Sequence, residues 1–400
     1  MRLSGRGLVV AMCLGQVCNL VPHVVVPAVM PAHLVPAWGL SNAEAGLMAS
    51  AYAFGYMLAV PVLTTLTDRF DARLILGVGS LGSALATLAF GLFAVDLLSA
   101  SLIWALAGIG FAGAYMPGLK ALTDRLEPGD QSRSVTLYTA TFSVGVGLSF
   151  LVSQLVADGF GWRAAFLVTG LCPLVMVGVA MAMRPVQPPA LAGPLLDFRP
   201  VLRNRPALGY ILGYGAHCFE LYGMRTWIVA FWAFVVARGG GAAPFDPITV
   251  SVVVTVLAMP SSILGNECAL RFGRHRTIAS IMLLSSATAL AIGLSAGGAP
   301  WLLLALVLLH GVTVPGDSGS LTSGMSGAAA PRYRGATMAL HSTVGFGLSA
   351  LGGWAVGWAL DLGGGAMSPT GWLAGYAVLA AAALLGPLAL WWSRRGTGAT

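Results

Sequence analysis

Hydropathy breaks this chain into twelve apolar runs, and that rhythm restricts the fold more than any other feature of the sequence. In round numbers the runs are 8–34, 43–66, 74–95, 99–121, 133–157, 161–183, 207–236, 247–270, 277–297, 300–324, 333–360 and 371–393. A helix needs roughly 20 apolar residues to cross the hydrocarbon core. In lipid every backbone polar group must be satisfied within the chain, so runs of this length can only be helices. The expectation is an all-α polytopic membrane protein with twelve transmembrane helices. Only 9% of the residues are charged, against about 25% in soluble proteins. Fifty-three glycines suit helices that approach closely in lipid.

Several alternatives fall away. A pI near 9.5 would suggest nucleic acid in a soluble protein, but here the basic residues sit in short loops and report topology. With the N-terminus inside, every Lys and Arg except Arg163, Arg225 and Arg238 falls in a cytoplasmic loop, tail or span end, which places both termini in the cytoplasm. The five cysteines (Cys13, Cys18, Cys172, Cys218, Cys268) form no CxxC pair, so neither disulfides nor a structural metal is expected. The start, MRLSGRGLVVAMCLG, has the basic end of a signal peptide. Its apolar run continues through His23 and three prolines to about Pro36, so it reads as the first span.

The chain repeats itself at a shift of 200–210 residues. Arg69-Phe70 answers Arg271-Phe272, Arg133–Thr136 answers Arg334–Thr337, Gly145–Ser149 answers Gly345–Ser349, and GWRAAF at Gly161 answers GWLAGY at Gly371. Between the copies, Arg184–Pro206 holds six prolines and four arginines and reads as a linker. The expected organisation is 1–184, a linker at 185–206, and 207–400. Six spans per copy make a parallel repeat, with a pseudo-twofold axis along the membrane normal.

On these residues the chain resembles the major facilitator superfamily over essentially its whole length. That family's signature after the second span, Gly-x-x-x-Asp-Arg-x-Gly-Arg-Arg, appears here as Thr64 to Arg73, with Asp68-Arg69 kept and both glycines lost. The second copy, Asn266 to Arg276, keeps Arg271, Gly273 and Arg274 but has Leu270 in the acid's place. The resemblance implies two six-helix bundles and gating by Asp68, Arg69, Arg73, Arg271, Gly273 and Arg274. It also implies a monomeric secondary transporter, not an enzyme, in a bacterial inner membrane. Many exporters of the family carry an arginine four residues before a Gly-x-Gly in the fourth span; here Trp104 precedes Gly108-Ile-Gly110, which removes that arginine from the expected machinery.

The family's first, fourth, seventh and tenth spans line its cavity, and these spans hold most of the deep polar residues here. The first has Asn19 and His23, the fourth Tyr115 and Lys120, and the tenth His310 and Asp317 around Pro315-Gly316. Lys120, followed closely by Asp124, Arg125 and Glu127, reads as a side chain snorkelling to the headgroups. The seventh carries His217, Glu220, Tyr222, Met224, Arg225 and Trp227. An ionisable residue at such depth costs on the order of 3 kcal/mol by insertion scales, so three within nine positions call for a function. His217, Glu220, Met224, Trp227 and Phe231 share a face, with Arg225 about 80° to the other side. His310 and Asp317, seven apart, share a face of the tenth span. At i,i+5, Glu220 and Arg225 are poorly placed to pair within one helix. His341, in the eleventh span, has no partner by sequence and reads as structural.

The sequence therefore predicts proton-coupled movement of a small organic solute, with no cofactor. Glu220, Asp317, His217 and His310 would carry protons, and Arg225 would hold an anionic group beside Trp227, Tyr222 and Tyr115. Two alternatives stay open: export of amphiphilic compounds, and copper transport through His217, Cys218, Met224 and His310.

Overall fold

The computed structural model describes residues 4–188, 198–330 and 333–395, and of 128–132 and 334 the backbone only, so the middle of the linker lies outside the described residues. Among the described residues, eleven helices are each long and apolar enough to cross a membrane, and a bent pair, counted as one span, brings the number to twelve. They are α1 (Gly5–Leu20 and Val25–Trp38), α2 (Asn42–Leu66), α3 (Ala72–Phe93), α4 (Leu97–Thr123), α5 (Pro128–Phe160), α6 (Trp162–Leu171 and Leu174–Ala182), α7 (Arg205–Arg238), α8 (Pro247–Phe272), α9 (Arg274–Leu294), α10 (Pro300–Gly316 and Ser318–Ala328), α11 (Arg334–Leu362) and α12 (Pro369–Arg394). The twelve expected runs each become one of these spans. The chain folds into two compact units, Met1–Leu34 with Ala51–Leu196 and Val35–Ser50 with Asp197–Thr400.

Short polar residues start the spans where the hydropathy rises. Asp96 and Ser99 cap each other reciprocally at α4, Asp246 accepts from the Thr249 N–H at α8, and Asn204 accepts from the Ala207 N–H at α7. Ser41 and Glu44 form a capping box at the start of α2, with Glu44 accepting from the Ser41 N–H and Ser41 from the Glu44 N–H. Proline shapes the first span. Pro22 cannot donate, and α1 bends by 46° there. The Val24 N–H freed at the bend donates to Ser149 Oγ at 3.1 Å, which is how a broken helix stays satisfied in lipid.

Glycines set the helix contacts within each unit. In the first, a Cβ at Gly108 would overlap the Tyr52 carbonyl oxygen, and one at Gly55 would overlap that of Ala105, so α2 and α4 touch backbone to backbone. In the second, Gly265 meets Gly316 in the same way between α8 and α10. Replacing Gly108 by Ala improves helix propensity by about 1 kcal/mol, but overpacking costs about 1–3 kcal/mol. With backbone on the other side, the clash wins. The expected result is a lower Tm for Gly108→Ala in detergent, measured by thermal unfolding; an unchanged or higher Tm would contradict the contact.

Candidate functional site

Helix α7 is the inner helix of the second unit, packed against α11 and α12. Nearly every residue from Gly209 to Val235 is buried or half-buried, which explains why the run is apolar almost all the way round. Its His217, Glu220 and Arg225 are only 1%, 2% and 5% exposed.

The histidines and acids of α7 and α10 pair crosswise. His217 Nδ1 of α7 lies 2.6 Å from Asp317 Oδ1 of α10. Three residues along α7, Glu220 Oε1 lies 3.0 Å from His310 Nε2 of α10. Each helix thus supplies one histidine and one carboxylate, and each pair takes one from each helix. Ser285 of α9 donates to the same Glu220 oxygen at 2.7 Å. All four ionisable groups are 1–2% exposed. Asp317 is the residue that separates the two pieces of α10, directly after Pro315-Gly316.

This geometry decides what the groups can do. A lone carboxylate at this depth would be neutralised by a proton, and a lone imidazolium would lose one. A histidine–carboxylate pair holding one proton is neutral overall, whichever partner carries it. Pairing in this way is how four ionisable groups can be kept at such depth. The Oε1 oxygen of Glu220 is held by His310 and Ser285, from the neighbouring helices α10 and α9. The Arg225 guanidinium stands 5.5 Å from the centroid of the Tyr222 ring, a cation–π contact.

The other predicted site residues divide between the units. Trp227 donates its indole N–H to the Gly353 carbonyl at 2.8 Å and packs on Trp372, so it belongs to the α7–α11–α12 core. Met224 is also buried. In the first unit, His23 follows the bend of α1 and is surrounded by Tyr52, Phe111 and Phe142, with centroids 5.1–5.4 Å away. Tyr115 continues that aromatic cluster against Phe111 and Phe142, and Asn19 donates to Ser80 Oγ. Among the described residues, no three His, Cys, Asp or Glu side chains converge as a metal site would require.

The loop signatures are held differently from the sequence pattern. In the first, Asp68 makes no ion pair among the described residues, and Arg69 is exposed. Burial raises the Asp68 carboxyl above its ordinary value, against the pull of Lys120. Asp71 is the acid that organises the loop. It accepts both its oxygens' worth of hydrogen bonds from Arg125 Nη2 (2.6 and 2.8 Å), and others from Arg73 Nε (3.0 Å) and the Val186 N–H (2.8 Å). Arg125 also donates to the Arg184 carbonyl, and Arg73 to that of Met183. Burial alone would raise the Asp71 carboxyl, but Arg125 and the N–H groups of Val186 and Arg73 hold it below the usual range. In the second copy, Gly273 turns the chain from α8 to α9 at φ +94°, a conformation only glycine adopts easily. Arg271 and Leu270 are exposed and Arg274 is half-buried. Lys120 reaches Asp124 at 3.0 Å, as a snorkelling lysine would. Asp71, Arg125 and Ser285 escaped the sequence reading; Asp71 was visible only as an acid at a position where the family pattern has glycine.

Comparison with known proteins agrees with this architecture. A sequence model of the Major Facilitator Superfamily matches residues 12–353. Over 327 residues the chain is 25% identical to the 4-hydroxybenzoate transporter PcaK of Pseudomonas aeruginosa, covering 72% of this chain and 71% of that one. It is 24% identical over 150 residues to the "Probable sphingolipid transporter spinster homolog 1" of Arabidopsis thaliana, covering 38% of this chain and 30% of that one. With several curated relatives the match spans about a third of their length or less. The fold is similar to the crystal structure of a bacterial homolog to the human lysosomal transporter Spinster in an inward-facing and occupied conformation. The TM-score is 0.73 at 17% identity, over 97% of this chain and 96% of that one.

Proposed function

The chain belongs to the Major Facilitator Superfamily, and from that premise we propose that it moves a small organic anion across the membrane together with protons, by alternating access. The observation that carries this reading is the crossed pairing of His217 with Asp317 and Glu220 with His310. Four ionisable groups buried in a membrane-spanning unit are costly to keep. Two neutral pairs, each able to gain or lose one proton, make that cost useful to a transporter driven by a proton gradient.

Arg225 supports an anionic cargo. A guanidinium stays charged at any physiological pH and matches a carboxylate with two parallel hydrogen bonds. It lies on the same helix as His217 and Glu220, five residues beyond Glu220, so cargo and proton would be read by one element. The name of the relative PcaK supports an aromatic carboxylate such as 4-hydroxybenzoate as the first probe. Gating is assigned to Asp68, Arg69, Arg73, Arg271, Gly273 and Arg274, joined by Asp71 and Arg125. The excess of basic residues on one set of loops supports cytoplasmic termini, in a monomer of a bacterial plasma membrane.

The test is uptake of labelled 4-hydroxybenzoate into proteoliposomes under an imposed pH gradient, which a protonophore should collapse. Arg225→Ala should raise the half-saturating concentration by roughly tenfold to a hundredfold, the worth of a hydrogen bond to a charged group. Unchanged affinity would remove Arg225 from the binding site. A second reading, movement of an amphiphile, is favoured by the aromatic cluster around His23 and by the spinster relative. Flux of a labelled long-chain sphingoid base, with none of 4-hydroxybenzoate, would put that reading first.

A further inference from the structure

His341 of α11 is a buried histidine outside the crossed pairs, and its surroundings are wrong for a structural one. It is 4% exposed. Its Nδ1 has no hydrogen-bond partner among the described residues, and its Nε2 is 3.5 Å from Thr322 Oγ1, the far limit of a hydrogen bond. A histidine kept to tie helices together in a membrane would have its nitrogens engaged. This one leaves Nδ1 without a partner instead.

Its ring lies flat against Tyr214 of α7, with centroids 3.8 Å apart and planes 20° from parallel. The same Tyr214 ring stacks with His217, one turn further along α7, at 5.6 Å and 23°. Gly345, one turn beyond His341 on α11, leaves room for the Tyr214 ring edge, where a Cβ would collide. Two imidazoles therefore stack on one tyrosine ring, and the second is already paired with Asp317. The titratable groups facing His341 are Tyr214 and His217 of α7; α10 brings the Thr322 hydroxyl, with Asp317 behind His217. Tyr376 of α12, packed alongside, faces His310.

We propose that His341 is the next station of the proton path, receiving the proton that leaves the His217–Asp317 pair. This rests on the proton-coupled reading above. The step breaks one N–H bond on the His217 imidazolium and forms one on a His341 nitrogen. His217 returns to neutral, and Asp317 keeps its charge until the next proton arrives. Stacked rings do not hydrogen-bond to each other, so the proton crosses by water. Charge on either imidazole is received by the Tyr214 face, while charge on both is opposed by repulsion, so the two are occupied in turn. Direction follows from the helices. Tyr214 is six residues nearer the Arg205 end of α7 than Glu220, about 9 Å at 1.5 Å per residue. His341 lies in the second turn of α11, whose first residue is Arg334. The stations thus run from Glu220–His310, through His217–Asp317, to His341 on the side where both helices begin.

The test is the ¹⁵N imidazole spectrum of the full chain in nanodiscs, with the His341 signal identified by its loss in His341→Gln. The expected result is a protonation transition of His341 that is displaced by about one pH unit in His217→Gln, with the displacement weakened in Tyr214→Leu. A His341 that stays neutral at every pH at which uptake is driven, or whose transition ignores His217, overturns the proposal. Transport gives the second measurement. His341→Gln should slow gradient-driven 4-hydroxybenzoate uptake at least about tenfold while leaving exchange at equal pH intact. A structural histidine would lower the Tm and reduce both alike. If Glu220→Gln and Asp317→Asn both keep driven uptake, the parent reading falls, whereas the His341–His217 linkage in the spectrum stands or falls by itself.

Discussion

Glu220→Gln and Asp317→Asn should each abolish gradient-driven accumulation while leaving exchange of labelled for unlabelled cargo at equal pH. Both changes keep the size of the side chain and remove its charge. Glutamine at 220 can still accept from Ser285 through its amide oxygen, and His310 is left a neutral partner, so the local packing survives. What is lost is the second protonation state. A neutral amide beside a neutral histidine has no low-cost way to give up a proton, and adding one creates an unpaired buried cation. The proton stroke stops, but the cargo site persists. Per coupled proton, one unit of pH gradient sustains about a tenfold accumulation; the variants should equilibrate without accumulating. The measurement is steady-state uptake of labelled 4-hydroxybenzoate in proteoliposomes with an imposed gradient. If both variants accumulate like the parent, the coupling assignment is wrong. Crosswise pairing adds a sharper expectation. Because each pair draws from both helices, the two variants should be about equally severe although their acids lie on different spans.

Asp71→Ala should be among the most destabilising single changes in the first unit. The Arg125 side chain is fully buried and that of Asp71 is 10% exposed. Removing one partner of such a pair costs about 3–5 kcal/mol, chiefly because the remaining charge is left buried and unanswered. Arg73 and the Val186 N–H lose an acceptor in the same stroke. Through Met183, Arg184 and Val186 the knot also holds the chain as it leaves α6. Acid should imitate the mutation. The Asp71 carboxyl is held below its ordinary range in the folded protein. Its contribution is therefore complete above the unfolded value of about 3.9, and is lost as pH falls through the lower folded value. Tm followed against pH in detergent should show this loss in the parent and not in Asp71→Asn. A variant as stable as the parent at neutral pH, or with the same acid dependence, would show that the knot does not stabilise the unit.

Much of the architecture was legible along the chain, for a reason. In a bilayer, span length and hydropathy are one constraint, so counting apolar residues locates α2 to α12 almost as well as seeing them. The repeat at 200–210 residues is a self-referential signal that needs no structure to read. The chemistry was legible only as a list. His217 and Glu220 on α7, and His310 and Asp317 on α10, stood out because ionisable residues there need a reason. Nothing along either helix tells which histidine meets which acid.

The distinction follows the range of the forces. The sequence by itself determined the apolar spans, the starts of the helices and the candidates for charge at depth, because hydropathy, capping and backbone donors act within a few residues. Tertiary structure alone decided that Glu220 answers His310 and Ser285, and that Asp71 instead of Asp68 ties the first loop. It also placed Trp227 in the core and His341 on the ring shared with His217. Those outcomes depend on the rotation and offset of helices from distant parts of the chain. A shift of one residue turns a helix by about 100°, enough to send a side chain to another partner.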